Sequence, residues 1–221
     1  MRENSGTERN ATLVLSLKLF VAVTHLPTNV LTKGVFMQMT FNTERLALNI
    51  LHPNDAEKVL AFYEENREHF EPWEPDRDMN FYTLPYQRLS LSIEYNLMQQ
   101  SKLLRYWVTL PDNPETLIGS INFYNIVKGS YYTCQLGYKF DQKFNGKGFA
   151  FESVKACMDI LFEEQKLHRV EANIMPSNLR SIHLIQKLGF IYEGLSKANI
   201  KINHSWEDHI RYAYINPNFE E

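Results

Sequence analysis

The sequence is poor in cysteine and has no excess of positive charge, and each shortage excludes a class of protein. Its 221 residues include only two cysteines, Cys134 and Cys157, whose spacing fits neither a disulfide framework nor a zinc site. Both lie in apolar patterns, so we predict two reduced thiols in the core of a cytoplasmic protein. The formal charge of −3, without a cluster of Lys and Arg, argues against a nucleic-acid partner.

A long hydrophobic run is also missing. The apolar stretch at residues 12–23 contains Lys18 and is shorter than the roughly 20 residues that cross a bilayer. No small-residue cleavage site follows it, so we predict neither a secretory leader nor a membrane partner. Met37 and Met39 stand just before the patterned part of the chain, which makes a downstream translation start a hypothesis.

What the sequence does contain is the material for one core. The chain is 44% hydrophobic and 22% charged, shows no repeats, and is long enough for one well-buried domain. Helical spacing predicts helices at residues 54–70, 85–100, 150–162 and 178–188. In the second of these, Leu89, Ile93 and Leu97 are predicted to face the core. Apolar alternation and turn residues predict strands at residues 46–50, 106–110, 118–127, 133–140, 169–174, 190–198 and 209–215. The fold class is therefore α/β.

A glycine turn, Gly146-x-Gly148, joins the end of a predicted strand to a helix. A helix N-terminus offers unpaired N–H groups and the positive end of its dipole, and glycines let a ligand approach the backbone. The turn thus has the chemistry of an anion cradle. It is not a P-loop, because Lys147 is followed by glycine, and not a dinucleotide fingerprint, because Phe151 stands at the third glycine position. A purely structural strand-to-helix turn is the alternative.

Four motifs in sequence order resemble a known family. Lys143-x-x-Gly146-x-Gly148 is similar to the acetyl-CoA pyrophosphate loop of the GNAT superfamily of N-acetyltransferases. Within it, the RimJ/RimL group, which acetylates ribosomal-protein N-termini, is similar at residues 43–46 (Thr-Glu-Arg-Leu), at Asn178-x-x-Ser181 with residues 187–190 (Lys-Leu-Gly-Phe), and at residues 206–208 (Trp-Glu-Asp). The resemblance covers residues 41–217 and implies one GNAT domain there, with a mixed, mostly antiparallel central sheet flanked by helices. Residues 1–40 form an extension outside the pattern.

The resemblance implies acetyl-CoA as the cosubstrate, and no metal. Main-chain groups at a strand end and the cradle would contact it, together with the asparagine of the second motif. The predicted cofactor-binding residues are Tyr138, Lys139, Phe140, Lys143, Phe144, Asn145, Gly146, Lys147, Gly148, Phe149 and Asn178.

Catalytic residues follow less directly. Many family members use a tyrosine as the acid, but Ile185 stands at its place, so the resemblance assigns the proton for the departing thiolate to Ser181. A capping or solvated hydroxyl is the alternative. In relatives, a carboxylate that acts as the general base stands at one of two positions, but this sequence has Asn173 and Ile200 there. Glu171, acting through water, is therefore left as the predicted base. Alternatively, Glu171 is an ordinary surface residue of a strand, and the acceptor amine loses its proton to solvent.

An acidic segment precedes the second predicted helix and is a candidate for acceptor recognition. Its acidic residues are Glu64, Glu65, Glu68, Glu71, Glu74 and Asp76, and its aromatic and proline residues are Phe70, Pro72, Trp73 and Pro75. Such a rim would attract a cationic amine or a basic peptide N-terminus, unless it is simply a solvated helix face. The cluster at residues 204–209 matches no metal-site spacing.

The predicted function is acetyl transfer from acetyl-CoA to a primary amine, most specifically the N-terminal amine of a ribosomal protein. The first alternative is a small-molecule acetyltransferase for a polyamine, an amino acid or a drug. The second is a catalytically silent CoA-binding module, which the missing carboxylates keep open. The sequence leaves both a monomer and a homodimer open.

Overall fold

A computed structural model describes residues 39–220 of the chain, so residues 1–38 of the predicted N-terminal extension, with the candidate start at Met37, lie outside the described residues. Eight strands occur in the described range: β1 (Thr40–Asn42), β2 (Ala47–Asn49), β3 (Leu104–Thr109), β4 (Gly119–Val127), β5 (Thr133–Phe140), β6 (Arg169–Ile174), β7 (Ile191–Ile202) and β8 (Ser205–Ile215). The α-helices of this range are α1 (Ala56–Glu65), the single turn α2 (Arg67–Phe70), α3 (Leu84–Gln99), α4 (Phe149–Gln165) and α5 (Leu179–Lys187).

The strands form one sheet in the order β1-β2-β3-β4-β5-β6-β8-β7. Every neighbouring pair is antiparallel except β5 and β6, which are parallel and flank the crossover helix α4. Their pairing joins residues 133–135 to residues 169–171. Beyond those residues the structure describes no pairing between them, and the two strands diverge. The predicted α/β fold with a mixed, mostly antiparallel sheet is confirmed.

Helix α4 buries one face against the sheet. Val154, Cys157, Met158 and Leu161 are at most 4% exposed and belong to the larger of two hydrophobic clusters. Their three-and-four spacing is what the sequence pattern indicated. Cys157 and Cys134 are both buried free thiols, and burial raises the pKa of each. The prediction that the cysteines are core residues is confirmed.

A second cluster packs under α1 and α3 and is mostly aromatic. Phe62 and Tyr63 contact Trp107 of β3 edge to face, at 5.7 Å and 6.1 Å between ring centroids, and Phe70 and Phe81 pack against those two rings. Edge-to-face contacts bring the positive ring edge to the negative face of the neighbouring ring. This cluster fixes the segment between α1 and α3 against the sheet, next to the groove described below.

The predicted inner face of the second helix is wrong. In α3, Leu89 and Ile93 are 49% and 46% exposed, whereas Gln87 and Leu91 are buried. The buried amide of Gln87 is accommodated because its Nε2 donates to the Phe81 carbonyl oxygen at 2.5 Å. A satisfied polar residue thus occupies a core position that hydrophobicity alone does not indicate.

Two element boundaries also differ from the prediction. The helix predicted to reach residue 70 stops at Glu65, where the buried side chain of Asn66 donates to the Phe62 carbonyl oxygen at 3.0 Å and a separate turn follows. The last hairpin is longer than predicted, because Asn203 and His204 both adopt positive φ (48° and 64°) and allow a two-residue turn.

Candidate active site

A groove of about 1000 Å³ opens where β5 and β6 diverge. We call residues 144–151 its turn side, and residues 70–77 together with Arg105, Lys139, Ile200, Ile202 and His209 its loop side. The first turn of α5 and parts of β4, β5 and β6 line the space as well. The predicted cofactor-binding residues that line the groove are Tyr138, Lys139, Phe140, Phe144, Asn145, Gly146, Gly148, Phe149 and Asn178.

The glycine turn needs its glycines for conformation. Gly146 and Gly148 have φ of +76° and +81°, a region that costs L-residues about 1–2 kcal/mol. A Cβ on Gly146 would meet no atom within 4 Å, so open space lies above that backbone, whereas one on Gly148 would lie 3.3 Å from Arg45 Nη2. Gly148 is also the N-cap of the 17-residue helix α4. The first N–H groups of that helix therefore point out of its N-terminus without intrahelical partners.

The Thr-Glu-Arg-Leu motif clamps this turn. Thr43 Oγ1 donates to Glu152 Oε1 at 2.5 Å, and Arg45 donates from Nε to Glu152 Oε2 at 2.7 Å and from Nη1 to the Lys147 carbonyl oxygen at 3.0 Å. Burial raises the pKa of Glu152, but the hydrogen bonds from Thr43 and Arg45 outweigh it and leave the pKa below its ordinary value. Sequence reasoning used these residues only as a family marker. Their contact with α4 spans more than a hundred residues, and no local pattern indicates it.

Two predicted cofactor lysines point elsewhere. Lys143 Nζ lies 3.2 Å from Glu65 Oε2, and Lys147 Nζ lies 4.8 Å from the centroid of the Phe144 ring. Neither side chain is among the groove-lining residues of the described chain. Asn145 differs, since the residue lines the groove and its buried Nδ2 has no hydrogen-bond partner within residues 39–220. A buried unpaired donor beside the turn suits an anionic ligand.

The end of β5 combines main-chain access with fixed side chains. The Tyr138 hydroxyl donates to the Ser181 carbonyl oxygen at 3.3 Å, and burial raises the pKa of Tyr138 to about 12. The Lys139 ammonium forms an ion pair with Glu74 and lies 5.0 Å and 5.5 Å from the ring centroids of Tyr63 and Phe70. These side chains are engaged with protein groups, so a ligand would meet the β5 end mainly through its backbone.

Helix α5 presents Ser181 to the groove. Asn178 Oδ1 accepts a hydrogen bond from the Ser181 N–H at 3.1 Å, so Asn178 is the N-cap, as predicted. The capping alternative for the Ser181 hydroxyl loses its basis, because Asn178 performs that role. Ile185 is fully buried in the core. Glu171 lies 2.7 Å from Arg169 Nε and is not among the residues that line the groove, so this geometry gives no support to Glu171 as a base.

The acidic rim is partly neutralised by ion pairs, contrary to the sequence expectation of an attractive negative surface. Glu71 pairs with Arg67 at 2.6 Å and Glu65 pairs with Lys143 at 3.2 Å, whereas the contact of Asp76 with His204 at 3.0 Å is an ion pair only when the histidine is protonated. Glu74, the rim carboxylate that lines the groove, contacts both Lys139 and Arg77. Burial raises the pKa of Glu74, but those two cations outweigh burial and lower it. The aromatic wall is present in part, since Phe70, Trp73 and Pro75 line the groove.

His209 also lines the groove and was missed as a site residue. It is 3% exposed, and its Nδ1 lies 3.1 Å from the Glu207 carbonyl oxygen. The sequence placed it only in a cluster weighed for metal binding, because its burial depends on the long hairpin. Within residues 39–220 no group of three or more His, Cys, Asp or Glu side chains is arranged to hold a metal ion. No helix in that range is long and apolar enough to cross a membrane.

The sequence of the chain matches the family model of the acetyltransferase (GNAT) domain over residues 45–191. The chain belongs to the GNAT acetyltransferase family. It is 37% identical over 184 residues to the [Ribosomal protein uS5]-alanine N-acetyltransferase of Escherichia coli (strain K12), covering 82% of this chain and 93% of that protein. It is 36% identical over 171 residues to the probable N-acetyltransferase YjcK of Bacillus subtilis (strain 168), covering 77% and 94%.

Solved structures agree with this assignment. The ribosomal-protein-S5-alanine acetyltransferase of Vibrio fischeri superposes with a TM-score of 0.79 at 29% identity, covering 83% of this chain and all of that one. Mycobacterium smegmatis RimJ, solved with a CoA disulfide, shares the fold with a TM-score of 0.77 at 21% identity, covering 86% and 93%. The predicted enzyme class is confirmed: the GNAT protein is an N-acetyltransferase that uses acetyl-CoA.

Proposed function

We propose that the enzyme transfers the acetyl group of acetyl-CoA to the N-terminal amine of a protein, of the ribosomal-protein alanine type. The observation that carries this proposal is one groove that joins the glycine turn to a partly aromatic loop side. The 37% identity to the uS5-alanine enzyme of E. coli, over nearly its whole length, supports the acceptor class. Residues 41–217 would form the catalytic domain, in a cytoplasmic protein.

The cofactor would enter from the turn side. Its pyrophosphate would lie on the backbone of Gly146 and Gly148 at the N-terminus of α4, with Asn145 Nδ2 as a side-chain donor. Its pantetheine amides would pair with the backbone of β5 where β6 no longer does, with Asn178 beside them. Lys143 and Lys147 would act as long-range positive charge, because their ammonium groups contact Glu65 and the Phe144 ring.

The reaction then requires an oxyanion site and an acid. The main-chain N–H groups of Tyr138 and Phe140 are the proposed donors to the oxyanion of the tetrahedral intermediate, because they point away from β4, whereas the Lys139 N–H faces β4, as the Asp141 N–H two residues later does. Ser181, on the first turn of α5 and facing the groove, is the proposed acid for the departing CoA thiolate. Asn178 fixes the backbone of Ser181 by accepting its N–H.

The charges on the loop side favour a peptide over a polyamine. Arg77 and Lys139 share the single carboxylate of Glu74, whereas Arg105 is paired with Glu94 at 2.5 Å, so this part of the wall carries one positive charge in excess. A polyamine brings several positive charges and would be repelled, whereas a peptide N-terminus brings one, followed by carbonyl groups that accept hydrogen bonds.

Thiol release from acetyl-CoA tests the proposal. The panel would contain a pentapeptide with N-terminal alanine, the same peptide with its N-terminus blocked, spermidine, and free alanine. We expect release with the free peptide alone, and mass spectrometry should place the acetyl group on its α-amine. Faster release with spermidine or free alanine would overturn the acceptor assignment, and binding of CoA without release for any amine would favour the silent module.

A further inference from the structure

The base of the reaction is the unassigned part of this site. Carboxylates are absent from the positions of Asn173 and Ile200, and the carboxylate of Glu171 is held by Arg169 at 2.7 Å. Glu74 is engaged by Lys139 and Arg77, which lower its pKa and with it its basicity. An amine acceptor arrives largely as ammonium near neutral pH, so a group that removes its proton accelerates the reaction.

His209 lies on the strand face that borders this chemistry. In the pairing of β6 with β8, Asn173 stands opposite Arg211, two residues from His209. Because alternate residues of a strand share a face, His209 and Asn173 lie on the same side of the sheet. Both line the groove, together with Ile200 of β7. His209 thus stands beside a position where relatives of the enzyme carry their carboxylate.

The hydrogen bonding of His209 defines which ring nitrogen is basic. Its Nδ1 lies 3.1 Å from the Glu207 carbonyl oxygen, which only accepts hydrogen bonds, so Nδ1 carries the hydrogen. The lone pair of the neutral ring is therefore on Nε2. Within residues 39–220, Nε2 makes no hydrogen bond. His209 is 3% exposed and is held by its strand, so the orientation of its imidazole ring is fixed. Its Nε2 remains available to a ligand in the groove.

We propose that His209 is the general base of the acetyl transfer, a role that rests on the function proposed above. Nε2 takes a proton from the acceptor ammonium, and the freed nitrogen lone pair forms the C–N bond with the thioester carbonyl carbon. The carbonyl electron pair moves to oxygen and returns as the C–S bond breaks. The ammonium loses two protons on becoming an amide. One leaves through His209 to solvent, and the other replaces the proton that Ser181 gives to the thiolate.

The test separates basicity from structure with two variants. In His209→Asn the amide nitrogen falls near the Nδ1 position and keeps the donor to the Glu207 carbonyl, but no base remains. In His209→Gln the amide reaches the Nε2 position and is also not basic. We expect kcat for the alanine pentapeptide to fall by about 10²-fold or more in both. The melting temperature of His209→Asn and its affinity for acetyl-CoA should stay near those of the wild type.

The matched control is His168→Asn, the same substitution at a histidine outside the groove, which should keep wild-type kcat. Added imidazole should restore part of the activity of a His209→Ala variant. Near-normal kcat in folded His209→Asn or His209→Gln protein would overturn the proposal and leave the proposed function standing. Wild-type protein that binds acetyl-CoA but acetylates no amine would instead overturn the proposed function, and the role of His209 with it.

Discussion

The two sides of the groove are built in opposite ways. On the turn side, seven residues of one eight-residue segment line the groove, and two positive φ angles and a helix N-terminus determine the geometry of the cradle. On the loop side, residues from α2 and the loop after it, from β3 and from the β7–β8 hairpin meet, and ion pairs decide which charges remain free. A ligand bound by backbone depends on local conformation, whereas a ligand bound by side chains depends on distant partners.

The largest expected effect would test the backbone character of the turn side. In Gly148→Val, a β-branched side chain at φ +81° meets Arg45 Nη2 and distorts the backbone of the cradle, so the rise in melting temperature caused by CoA should vanish. Gly129→Val is the matched control, because Gly129 has φ of +76° in a turn away from the groove. Both variants should lose about 1–2 kcal/mol of stability, and only Gly129→Val should respond to CoA. A preserved CoA response in Gly148→Val would remove the cradle assignment.

The next effect concerns the junction of the two sides. Ser181→Ala should lower kcat by about 10²-fold with little change in the affinity for acetyl-CoA, because a proton donated to the thiolate matters only as the C–S bond breaks. Melting temperature should barely change, since Asn178 supplies the cap. Ser130→Ala, in an exposed turn, serves as the control. The general-acid role is refuted if purified, folded Ser181→Ala protein turns over at the wild-type rate.

A smaller effect would probe the ion pairs of the loop side. Glu74→Gln leaves Lys139 without its counter-charge, so its ammonium should repel the acceptor and raise the KM of the alanine peptide about tenfold, at unchanged affinity for acetyl-CoA. Glu71→Gln, which breaks an exposed pair with Arg67, should leave that KM unchanged. If Glu74→Gln changed only the affinity for acetyl-CoA, the assignment of the acceptor to the loop side and the cofactor to the turn side would be contradicted.

The same variant has a pH signature. The pKa of Glu74 is lowered in the folded protein, so its carboxylate contributes stability above the ordinary glutamate pKa of about 4.3 and loses it as pH falls through the lower folded value. The melting temperature of the wild type should therefore exceed that of Glu74→Gln at pH 7. This difference in melting temperature should become smaller below about pH 4. A difference that stays constant between pH 7 and pH 3 would indicate a packing effect instead.

The smallest effect concerns a charge outside the groove. Lys143→Ala should weaken acetyl-CoA binding by only about twofold, because its ammonium is 71% exposed and contacts Glu65. The loss should be larger at low salt than at high salt, since screening shortens the reach of a surface charge. Lys128→Ala is the comparison on a turn away from the groove. A large, salt-independent loss in Lys143→Ala would mean that this lysine contacts the pyrophosphate directly.

The same contrast explains what the sequence could predict. The strands, the helix after the glycine turn, the Asn178 cap and the core cysteines follow from local pattern, and the structure contains them. The inner face of α3 was predicted wrongly because Gln87 is buried through a contact with Phe81. The partly neutralised acidic rim and the burial of His209 were missed because Lys139 lies 65 residues from Glu74 and His209 depends on a hairpin turn at Asn203 and His204.

The short pairing of β5 with β6 gives the sheet a third edge, inside the molecule. An outer edge such as β7 is open to any neighbouring strand, whereas this inner edge lies between β5 and β6 of the same sheet. Only a thin chain with its own amide groups fits there. In the proposed binding mode the opening would select ligands by shape, because backbone groups of β5 that β6 does not pair would be left for a narrow polar cofactor.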